Sequence, residues 1–156
     1  MSDRETVEFL ATVTLLEGLG EADLAALARV TRRRTVEAGQ LLWRQGDDAR
    51  EMLIIVNGTL SASLDTPGER ALVVASLGPG ETVGEIALLD GAGHTVNVRA
   101  TEAATVLAFG RLDFAALLAG QDQATLDLKR RLALLLAGRL RTQLRHLAAA
   151  LGGEIV

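Results

Sequence analysis

Leu77-Gly78-Pro79-Gly80-Glu81-Thr82-Val83-Gly84-Glu85-Ile86-Ala87-Leu88-Leu89 decides how the chain reads. Gly80 and Gly84 let the backbone turn sharply and approach a ligand closely. Glu85 to Leu89 is expected to form one helical turn, whose free N–H groups and dipole attract an anion. On either side the apolar residues come in short, glycine-bounded runs at 40–43, 52–56, 59–64, 71–77, 95–100 and 104–109. Asn57-Gly58 between two such runs is a strong hairpin signal, and Asp65-Thr66-Pro67-Gly68 is a second turn. Leu60, Ala62 and Leu64 alternate with Ser61 and Ser63, and Val96 and Val98 with Thr95, Asn97 and Arg99, so each run has one inward face. Short strands at even spacing read as a β-sandwich, jelly roll or barrel.

Helical patterns enclose this β region. Val7, Phe9, Leu10, Val13, Leu15 and Leu16 fit a short amphipathic helix over 7–16. Glu21 to Val30 is a better one, with Leu24, Leu27, Ala28 and Val30 sharing a face and acids in the first turn. After Gly110, Asp113 is the expected N-cap of a helix over Phe114–Leu118. Gly120 breaks that segment, and 121–151 then runs without proline to Gly152-Gly153. Leu132, Leu136, Leu140, Leu144, Leu147 and Leu151 make one stripe along it. Such a stripe on a helix of roughly 46 Å is expected to pack against a partner helix, which predicts a homodimer.

Composition narrows the chemistry. The 156 residues suggest one domain with an appendage, divided here as 1–120 and 121–156. No cysteine is present, which excludes disulfides, thiolate metal sites and a cysteine nucleophile. His94 and His146 lie far apart, so no metal is expected. A metal-dependent barrel enzyme needs clustered histidines, and no enzymatic activity is expected. There is no basic start followed by an apolar run and no 18-residue uncharged apolar span. A soluble, cytoplasmic protein is expected. Residues 1–128 carry 10 basic and 19 acidic side chains, and 129–156 carry 6 and 1. The basic helix (Lys129, Arg130, Arg131, Arg139, Arg141, Arg145) invites a nucleic-acid reading, but no helix-turn-helix module follows it in this chain.

Arg44 to Leu60, together with Leu77 to Leu89 and Thr95 to Ala100, resembles the cyclic-nucleotide-binding domain family, which includes the catabolite activator protein. Leu16 through Val30 is similar to that family's lead-in helix, and the resemblance covers roughly residues 9–150. It implies a mainly β fold with flanking helices, a jelly-roll barrel plus a long C-terminal dimerisation helix, and a cyclic nucleotide such as cAMP or cGMP as ligand. It implies that Glu85 accepts from the ribose 2′-hydroxyl, that Thr95 contacts phosphate, and that Gly84, Ile86 and Ala87 cradle the ligand. Ala137 to Gln143 is similar to the part of the long helix that reaches the base, which offers Thr142 and Gln143 to a purine edge.

One departure stands out. The family's phosphate-pairing arginine is replaced by His94, in a loop (Asp90-Gly91-Ala92-Gly93) about one residue short. Arginine presents a permanent forked charge, whereas histidine, with an ordinary pKa near ~6.5, is mostly neutral at pH 7. The lost charge-assisted hydrogen bond is worth about 1.5–3 kcal/mol, roughly ten- to 150-fold in affinity. Beside two glycines, His94 is expected at an exposed loop position. Arg99, four residues beyond Thr95, is too far to serve and is expected to brace the barrel rim or pair with an acid. Two readings follow: a sensor whose long helix signals to an effector protein or fused domain, and a ligand-free interaction module that keeps the fold.

Overall fold

A computed structural model describes residues 1–68 and 70–152. Gly153 and the rest of the 121–156 segment beyond it lie outside the described residues. Two helices, α1 (Asp3–Leu10) and α2 (Glu21–Val30), flank a 3-10 turn at Thr14–Leu16. They lead into β1 (Thr31–Val36), β2 (Leu41–Trp43), β3 (Glu51–Asn57), β4 (Leu60–Asp65), β5 (Ala71–Leu77) and β6 (Thr82–Val83). A short helix α3 (Glu85–Asp90) precedes β7 (Asn97–Ala100) and β8 (Ala104–Gly110), and α4 (Arg111–Leu118) and α5 (Gln123–Ala150) complete the order. The strands form two antiparallel four-stranded sheets, β1-β8-β3-β6 and β2-β7-β4-β5. This is the expected jelly-roll arrangement with a long C-terminal helix.

Burial along β3 and β8 explains how the layers stack. Met52, Leu53, Ile54 and Ile55 are all buried, because the first sheet is covered on both faces. Leu53 and Ile55 point between the sheets and join Val106, Ala108, Leu60 and Val98 in one core. Met52, Ile54, Leu107 and Phe109 point the other way and pack with Leu10, Leu16, Leu24, Leu27, Phe114, Leu128 and Leu132 from the helices. Alternate residues therefore serve two cores, as period-two geometry requires. The helices are thereby fixed to the outside of the roll.

Several boundaries differ from the sequence reading. The expected helix over 7–16 is α1 plus the 3-10 turn, since Ser2 and Glu5 form a capping box that starts the helix at Asp3. Val30 is exposed and does not share the buried face of Leu24 and Leu27. β1 has no apolar signal: Arg32, Arg33 and Arg34 are exposed, and the strand pairs with β8 alone. Arginines on such an edge discourage further pairing. The run at 95–100 becomes strand only from Asn97, whose side chain is buried. Its Oδ1 accepts from the Gln45 amide at 2.8 Å and its Nδ2 donates to Asp65 at 2.9 Å. Arg99 donates to the Gly39 carbonyl at 2.6 Å, as a rim brace. Asp113 lies within the first turn of α4, which Gly110 precedes as N-cap. Helix α5 begins at Gln123, with the Asp122 side chain accepting from the Thr125 amide.

The leucine stripe on α5 divides. Leu132 is buried in the helix-side core, but Leu140, Leu144, Leu147 and Leu151 are 57, 50, 55 and 76 % exposed. The face turned toward the roll is a different one: Leu128, Leu132, Leu135, Arg139, Thr142 and His146, at alternating spacings of four and three. No helix among the described residues is long and apolar enough to cross a membrane.

Candidate functional site

Gly84 sets the site's geometry. It adopts φ +93° as N-cap of α3, and a Cβ there would stand 3.1 Å from both the Glu51 carbonyl and the Trp43 ring. Only glycine takes this conformation at no steric cost, and it allows Glu85 to enter the interior one residue later. Glu85 is fully buried. Its carboxylate faces the guanidinium of Arg139, which reaches across from α5 and also donates to the Thr82 carbonyl. Arg139 engages Oε1 of Glu85, whereas among the described residues Oε2 has no donor, and Trp43 Nε1 and Thr82 Oγ1 are buried without a partner. Burial lowers the pKa of Arg139 while Glu81 raises it, and the guanidinium stays charged.

These groups border a cavity of about 870 Å³ between the second sheet, α3 and α5. Gly84, Glu85, Ile86, Ala87, His94, Thr95, Thr142 and Gln143, the residues singled out by sequence, all line it. Thr95 is exposed at its edge, and Thr142 is exposed with its hydroxyl donating to the Gly138 carbonyl at 3.1 Å. Such a volume is within the range of small-molecule pockets. Among the described residues no cluster of three or more His, Cys, Asp or Glu stands placed to hold a metal ion.

His94 differs from expectation. It is buried, 5 % exposed, and its ring stacks on Trp43 with centroids 3.9 Å apart and planes 4° from parallel. Two backbone bonds with the 46–47 turn, each 2.8 Å, hold it there. Burial pushes its pKa below the ordinary histidine value, against the opposing pull of Asp47, Glu51 and Asp48. The imidazole is therefore neutral at pH 7. Sequence reasoning also missed Arg139, Trp43 and Glu81 as lining residues. The signal for Arg139 was its place on the Leu128-Leu132-Leu135 face, which a search for a leucine stripe passes over.

The model of the cyclic nucleotide-binding domain matches residues 33–121. A cyclic nucleotide-gated potassium channel from Mesorhizobium japonicum is 34 % identical over 107 residues, 69 % of this chain and 28 % of the channel. The structure of Thermus thermophilus catabolite activator protein is 29 % identical with a TM-score of 0.74, covering 87 % of this chain and 62 % of that one. The regulatory subunit of a cAMP-independent protein kinase A from Trypanosoma cruzi, solved bound to guanosine, has a TM-score of 0.73 at 22 % identity, covering 84 % and 46 %. The chain thus spans about a quarter of the channel and under two thirds of either structure's chain. With a family match over most of the roll and a fold shared at this level, the chain belongs to the cyclic nucleotide-binding domain family.

Proposed function

We propose that the chain is a ligand-sensing regulatory module, with 1–120 as the sensing body and 121–156 as the signalling helix. A small molecule of the nucleotide or nucleoside type enters the cavity and engages Glu85. The observation that carries this reading is the fully buried Glu85 carboxylate on the cavity wall, paired with Arg139 through one oxygen and without a donor among the described residues at the other. A buried acceptor of this kind is costly unless a ligand completes it. Because Arg139 on α5 touches the same carboxylate, a ligand at Glu85 changes the contacts of α5, and the helix conveys occupancy outward.

Helix α5 is also the proposed seam of a homodimer, with Leu144 and Leu147 facing the second copy and Leu140 bordering both the seam and the cavity. An effector protein or fused domain receives the signal, and the module regulates rather than catalyses, in the cytoplasm. The second reading, an interaction module that has lost its ligand, is favoured by one observation: His94 is locked in a stack on Trp43.

Thermal denaturation with cAMP, cGMP, cyclic dinucleotides and nucleosides tests the proposal. A ligand at 100 times its dissociation constant adds about 2.7 kcal/mol, roughly 5–11 °C in Tm for a domain of this size. A rise with any of them supports sensing. No rise at millimolar concentration leaves the interaction module.

A further inference from the structure

The cavity's charge inventory names its ligand class. Among the described residues the lining contains two carboxylates, Glu81 and Glu85, and a single arginine or lysine, Arg139. Arg139 is already committed to the Glu85 carboxylate and the Thr82 carbonyl. His146 and His94 also line the cavity. The stacking on Trp43 removes His94 as a cation, since protonating a buried ring costs more than protonating it in water. Among the described residues of the lining no arginine or lysine is free to pair with an entering anion.

The polar groups that lack partners suit a different guest. The unpaired oxygen of the Glu85 carboxylate only accepts hydrogen bonds, and the Trp43 indole N–H only donates. A hydroxyl group satisfies a carboxylate by donating and an indole by accepting. A nucleoside brings only hydroxyls, whereas a cyclic nucleotide keeps a ribose 2′-hydroxyl for Glu85 but adds a phosphate, an acceptor alone that finds no free arginine or lysine on this wall. The remaining wall includes Val74, Leu136 and Leu140, against which a flat ring loses little on leaving water. We infer that the cavity takes an uncharged, hydroxyl-bearing ligand of the nucleoside class in preference to an anionic cyclic phosphate. This rests on the ligand-sensing reading and sharpens it.

Calorimetric titration of the full chain at pH 7.5 with adenosine, guanosine, cAMP and cGMP separates the possibilities. A nucleoside is expected to bind at least about tenfold more tightly than its cyclic phosphate, the loss that accompanies a missing charge-assisted bond. H94R restores a cation at the ring position and is expected to raise cyclic nucleotide affinity about tenfold or more relative to the unaltered chain. If the unaltered chain binds cAMP or cGMP as tightly as the matching nucleoside, the ligand class is wrong and the sensing function stands. If none of the four binds up to millimolar concentration, the sensing function itself falls, and this inference with it. The comparison on the unaltered chain decides the matter even where H94R does not fold.

Discussion

Arg139, in the second half of α5, sets its guanidinium against the fully buried carboxylate of Glu85 at the start of α3. Fifty-four residues of chain separate the two, and their contact ties the terminal helix to the roll. Taking away one partner of such a pair leaves an uncompensated buried charge. Arg139→Met is expected to cost about 3–5 kcal/mol in urea denaturation, and the E85Q/R139M double variant to recover most of that loss. Equal destabilisation in the single and double variants would show that packing, not charge, joins the two elements.

Gly84→Ala tests the left-handed turn. The added methyl meets the Glu51 carbonyl and the Trp43 ring at 3.1 Å while the backbone stays at φ +93°. A loss of about 1–3 kcal/mol is expected. Gly78, with no atom within 4 Å of a built Cβ and no positive φ, is the control, and Gly78→Ala is expected to be nearly neutral. Equal effects at the two positions would mean that Gly84 carries no special constraint.

Leu144→Lys with Leu147→Lys addresses the outer face of α5. Both side chains are at least half exposed, so the change is expected to move stability by no more than about 0.5 kcal/mol per site. If this face joins two copies, sedimentation shifts from dimer to monomer. An unaltered sedimentation coefficient removes the proposed seam.

The depressed pKa of His94 makes stability depend on pH in a definite direction. The folded state holds the ring below its unfolded value near ~6.5, so the unfolded chain takes up the proton first. The contribution of the neutral stacked ring is complete above that value and is lost as pH falls below it. His94→Phe keeps an aromatic ring on Trp43 and removes the titration. Urea midpoints of the unaltered chain are expected to fall more steeply from pH 7 to pH 5 than those of H94F. Parallel slopes would place the acid sensitivity elsewhere.

Much of this was legible in the residues. Glycine-bounded apolar runs located β3, β4, β5 and β8, because strands buried on one or both faces must be apolar in short stretches. The stretch 77–89 brought forward part of the cavity's lining through its turn glycine Gly84 and its resemblance to the family. What stayed hidden follows from physics that period and composition do not carry. β1 is held by backbone hydrogen bonds to β8 while its arginines face solvent, so no hydropathy marks it. His94 is buried by a contact with Trp43, fifty-one residues earlier, which glycine neighbours in sequence give no hint of. Arg139 reads as one more cation on a basic helix until the rotation of α5 is known. That rotation depends on Leu128 and Leu132 docking into the helix-side core.

One face of α5 walls the cavity while an adjacent flank presents Leu144 and Leu147 outward, with Leu140 on the border between them. If a partner copy on its outside and a ligand within are coupled through this rod, each alters the other's affinity by the same factor. Dissociation constants measured on this chain then drift with how concentrated the chain itself is.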